Sequence, residues 1–97
     1  MIFSKLTAIC KSKKQDITLS FSILFDENKE PIETLGTDWI EEGLTEAFWE
    51  NADLFKEVSF EDCGGFDLCF ELNGENVEYP FEVDVNGLMR ECISDVR

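Results

Sequence analysis

The sequence predicts an α+β fold, an antiparallel β-sheet with helices packed on one face, in the order β-β-α-β-β-β-α. Three observations lead there. Residues 16–25, DITLSFSILF, alternate apolar and polar as a half-buried strand does. Residues 39–57, WIEEGLTEAFWENADLFKE, repeat apolar side chains at helical spacing. Two further alternating runs, FDLCFEL (66–72) and VEYPFEVDV (77–85), flank an Asn-Gly turn, the strongest short signal for a hairpin. The 97 residues suit a single domain, 1–97. A hydrophobic content of 43%, with nine Phe, supplies a core and argues against disorder.

In chain order, residues 2–10 form a first strand, and the polar turn KSKKQ leads to the second. There Ile17, Leu19, Phe21, Ile23 and Phe25 share one face, while Thr18, Ser20 and Ser22 share the other. Residues 26–37 read as loop, punctuated by Pro31 and Gly36. Asp38 is placed to cap the helix over 39–57, with Glu41 completing a capping box. Ile40, Leu44, Ala47, Phe48 and Phe55 form its core face, and Gly43 weakens it by roughly 1 kcal/mol relative to Ala. Residues 58–62 read as a short strand stopped by Cys63-Gly64-Gly65. In the hairpin, joined by Asn73-Gly74-Glu75-Asn76, Phe66, Leu68, Phe70 and Leu72 face the same way as Val77, Tyr79, Phe81, Val83 and Val85. Pro80 puts its strand at an edge. Residues 88–96 suit a terminal helix with Met89, Cys92, Ile93 and Val96 inward.

Charge excludes several function classes. The formal net charge is −14, from 22 acids and 8 bases. Lys5, Lys11, Lys13 and Lys14 lie in an N-terminal stretch that holds no acid. Such a chain repels nucleic acid and anionic lipid and attracts basic partners. It contains no histidine, which removes the usual general base and rules out a Cys/His zinc site. Cys10, Cys63, Cys69 and Cys92 form no C-x-x-C pair. No apolar run approaches the ~20 residues that span a bilayer. The N-terminus lacks the pattern of a signal peptide, so free thiols in the cytoplasm are expected. No phosphate-binding glycine loop or nucleophile motif is present. A calcium-loop frame starting at Glu82 fails at its twelfth position, which is Ile93. The expectation is a protein that is not an enzyme and needs no cofactor or metal.

The helix itself carries the functional signal. At 100° per residue Glu42, Glu46, Glu50, Asp53 and Glu57 fall within a band of about 80°, opposite the core face. Over its ~22 Å no base sits within the band, although four like-charge neighbours cost roughly 1–2 kcal/mol at low salt. Trp39 and Trp49 fall on or beside it, and tryptophan is a favoured interface anchor. Glu71, Glu78 and Glu82 belong to a second acidic face, on the sheet. A row of carboxylates with flanking aromatics can occupy a groove built for phosphates and bases. In size, charge and aromatic content the chain resembles the small acidic DNA-mimic inhibitors of bacteriophages, which block restriction enzymes, CRISPR effectors and other host DNA-binding proteins. That resemblance implies an inhibitor, acting as a monomer or homodimer, whose partner is a basic nucleic-acid-binding protein or nuclease. It implies no direct binding to nucleic acid or membrane. Two alternatives stand beside it, an immunity protein against a basic nuclease toxin and an acidic adaptor with no nucleic-acid link.

Overall fold

The computed structural model describes residues 3–26 and 35–96, so most of the loop expected over 26–37 lies outside the described residues. Strands β1 (Phe3–Ser12) and β2 (Thr18–Asp26) pair antiparallel, as the short turn between them demands. Strand β3 (Phe66–Leu72) joins the other side of β1, and the three-residue β4 (Glu75–Val77) joins β3. The result is a four-stranded antiparallel sheet of order β2-β1-β3-β4.

The pleat sorts the two faces. Leu6, Ala8 and Cys10 of β1 lie opposite Ile23, Phe21 and Leu19 on one side and Leu72, Phe70 and Leu68 on the other. This face is covered by helices α1 (Asp38–Glu50) and α3 (Val85–Asp95), and by the one-turn helix α2 (Phe60–Cys63). Among the described residues no helix covers the opposite face, called the open face below. The expected core side chains Ile40, Leu44, Ala47, Phe48 and Phe55 are all buried, as are Met89, Cys92 and Ile93 of α3.

Several expected boundaries differ. Helix α1 ends at Glu50 rather than 57. The Asn51 side chain donates to the Ala47 carbonyl at 2.8 Å, and the chain tightens into a 3-10 turn over Ala52–Phe55. That turn lays Phe55 on Phe48, with ring centroids 4.7 Å apart, so burial of Phe55 ends the regular helix. Thr37, not Asp38, is the N-cap of α1, with no side-chain cap hydrogen bond and hence no capping box. The box stands one helix later. Ser59 Oγ accepts from the Asp62 amide, and the Asp62 carboxylate accepts from the Ser59 amide, each at 3.0 Å. The strand expected over 58–62 is therefore absent: Phe60–Cys63 form α2, with Ser59 as its N-cap.

The hairpin turns on two residues. Asn73 (φ 53°) and Gly74 (φ 89°) both take left-handed backbone, and Leu72 pairs with Glu75. Its second strand stops at Val77 instead of running to 85, because Tyr79 leaves the ladder to stack on Phe70 at 4.6 Å. Helix α3 begins at Val85, three residues early. Asp84 caps it by accepting from the Gly87 amide, and Asn86 Oδ1 accepts from the Phe66 amide at 2.8 Å.

Candidate protein-binding surface

Glu42, Glu46 and Glu50 stand in line on α1, all exposed, because i, i+4 spacing keeps them on one side of the helix. The row spans about 12 Å at 1.5 Å per residue. Asp53 and Glu57 do not extend it helically, since both follow the break at Asn51. Asp53 lies in the 3-10 turn and pairs with Lys56 at 3.0 Å, an exposed contact that offsets its charge locally. The expected five-acid helical band is therefore a three-glutamate row with two acids beyond its end.

The two tryptophans part company. Trp49 is 47% exposed beside Glu50, braced edge-on against Phe48 with the rings at 88°. It stands where the wheel put it. Trp39 does not. It turns under the helix and packs on Phe21 and Phe70, with ring centroids at 5.5 and 6.2 Å. Its Nε1 donates to the Tyr79 hydroxyl at 2.8 Å, and that hydroxyl donates in turn to the Gly36 carbonyl. Trp39 thus ties the entry of α1 to the segment after β4. The expected reading of it as a surface anchor is corrected on this geometry. Tyr79 was missed as its partner; the two are 40 residues apart, and no periodicity links them.

The acidic sheet face is also corrected. Glu71 shares the open face of β3 with Asp67, yet Lys5 and Lys11 of β1 project from the same face, with Lys11 directly across from Asp67. Lys13 reaches Asp67 at 3.7 Å. Glu78 and Glu82 have left the sheet. Both border a groove of about 520 Å³ beside β3, with exposed Phe81 between them in sequence. The structure therefore does not bring Glu71, Glu78 and Glu82 together with the α1 row. Three of the four N-terminal lysines lie at or beside the open face, and the uncompensated acids of α1 lie on the helical side.

The thiols are mostly shut away. Cys10, Cys63 and Cys92 are buried and free, and Cys69 is exposed and free. Burial, with the Asp67 charge second, pushes the Cys10 thiol up to about 12, and burial also raises Cys63 and Cys92. Such thiols are protonated at neutral pH and poor nucleophiles. Among the described residues no cluster of three His, Cys, Asp or Glu could hold a metal ion, and no helix is long and apolar enough to cross a membrane. No family model, curated protein or solved structure matches the chain.

Proposed function

We propose that this protein is a non-enzymatic inhibitor that presents the α1 carboxylate row, flanked by Trp49, to the phosphate-binding site of a basic nucleic-acid-binding protein in the cytoplasm, in the manner of a DNA mimic. The observation that carries the reading is the segregation of charge. Helix α1 has no basic residue in its last turn, where a cation would stabilise it, and Glu42, Glu46 and Glu50 repeat at about 6 Å. A solvated helix kept only for solubility gains support from interleaved lysines. Here Lys5, Lys11 and Lys13 lie on or beside the other face of the sheet, and Lys56 pairs with Asp53 beyond the end of the row. The row of about 12 Å matches three to four phosphates of one strand at ~3.4 Å each, so it suits a local phosphate grip rather than a whole duplex groove. Trp49 supplies an aromatic surface at the end of the row, where a base would stack.

Binding competition on the purified partner tests this. Inhibitor added first should prevent nucleic-acid loading, preloaded nucleic acid should block the inhibitor, and affinity should fall as ionic strength rises. Glu46→Lys with Glu50→Lys should keep the fold and weaken binding at least a hundredfold. A ternary complex, with nucleic acid bound at undiminished affinity, refutes the reading.

A further inference from the structure

Strand β2 is at one end of the sheet, and among the described residues nothing pairs with its outer edge. The inner ladder determines which backbone groups face out. Ser12 donates to the Ile17 carbonyl at 3.0 Å, so the hydrogen-bonded positions continue through Leu19, Phe21, Ile23 and Phe25. The N–H and C=O groups of Thr18, Ser20, Ser22 and Leu24 therefore point away from β1. Natural edges are usually protected by charge, proline or a bulge. From Ile17 to Phe25 this one has no charge and no proline, its register is unbroken, and Leu24 is 68% exposed.

Between this edge and α1 runs a groove of about 390 Å³, whose lining includes Phe21, Ile23 and Trp39 as well as Glu42, Glu46 and Glu50. We propose that the groove receives an extended, basic segment of the partner as a fifth strand on β2, its alternate lysines or arginines directed at the glutamate row. This rests on the reading of the partner as basic and adds how it is held. Charge selects the occupant. Same-side residues on a strand repeat at ~6.8 Å, within about 1 Å of the ~6 Å step of the row, so each glutamate meets one cation. A second copy of this chain pairing β2 with β2 would set two glutamate rows on the same side of one seam and repel. Backbone pairing supplies affinity and the alternating cations supply selectivity, as in other strand-addition complexes.

The test uses a fluorescein-labelled nonapeptide alternating Lys and Val, and the same peptide N-methylated at every residue, which keeps the charge but removes the strand donors. The full chain should bind the first at low salt and the second at least tenfold more weakly. Amide exchange should slow at Ser20 and Ser22, and Glu46→Lys with Glu50→Lys should abolish binding. Equal affinity for both peptides with unchanged exchange overturns strand addition. If the double lysine variant still loses binding in that case, the acidic-surface reading stands, and the nucleic-acid competition on the partner decides it separately. A stable dimer by light scattering, with those amides already protected in the free protein, also overturns the proposal, because a second copy then fills the edge.

Discussion

Replacing Gly43 by alanine sets two effects of opposite sign against each other. By helix propensity alone, alanine in the interior of α1 stabilises by about 1 kcal/mol. The position is not open, however. A Cβ built there would lie 2.1, 2.3 and 2.5 Å from three carbons of the Phe21 ring. To reach ordinary carbon–carbon contact near ~3.5 Å the ring must retreat about 1.4 Å. Phe21 is only half-buried, so it can move toward the groove, but it then gives up its edge-on contact with Trp39, worth ~0.5–1.5 kcal/mol. Overpacking of this kind costs about 1–3 kcal/mol. The crowding outweighs the propensity gain, and Gly43→Ala should destabilise by about 1 kcal/mol net. Urea denaturation and a thermal melt followed by circular dichroism measure it; for a domain of this size about 1 kcal/mol lowers Tm by ~4–8 °C. Phe21→Leu in the Gly43→Ala background should recover part of the loss. If Gly43→Ala raises Tm by the amount propensity alone implies, the close approach of α1 to β2 is wrong, and so is the groove it forms.

The tryptophans should respond oppositely. Trp39→Ala should cost ~2–4 kcal/mol of stability, from lost packing and the loss of Tyr79's donor, whereas Trp49→Ala should cost under ~1 kcal/mol and act on partner binding. Denaturation midpoints of the two variants decide this, and equal losses refute the assignment. Sodium chloride should stabilise the protein by screening two i, i+4 glutamate repulsions, ~0.4–1 kcal/mol in all, and Glu46→Lys should reduce that response; midpoints across a salt series measure both. The raised Cys10 thiol contributes stability in full below the ordinary thiol value of 9.0, which is lost as pH rises through about 12. Midpoints should therefore fall between pH 9 and 11, less so in Cys10→Ala, and iodoacetamide at pH 8 should label Cys69 alone in the native protein.

Some of this was legible in the residues. The period-two runs located β2 and β3, because one face of each strand is buried and a one-residue slip would expose it. The 3.6-residue period found the buried side of α1 and α3, since a helix on a sheet must hide one stripe. Asn73-Gly74 marked the tight turn because few residues tolerate left-handed backbone. The glutamate row of α1 was visible for the same reason as its core face: both follow from helical geometry while the helix lasts.

Where the helix stops was not visible, and this separates Asp53 and Glu57 from the row. A wheel extrapolates one geometry, whereas Asn51 and the stacking of Phe55 on Phe48 depend on the neighbours the chain meets. Trp39 turned inward because Phe21, Phe70 and Tyr79, distant in sequence, converge beneath the first turn of α1. Tyr79 left the ladder for the same cluster, which shortened β4 and took Glu78 and Glu82 off the sheet. The placement of Lys5 and Lys11 beside Asp67 and Glu71 came from the pairing of β1 with β3. Periodicity records which side of an element is buried. Only the packed structure decides which elements share a face, because that depends on contacts between residues that no local pattern connects.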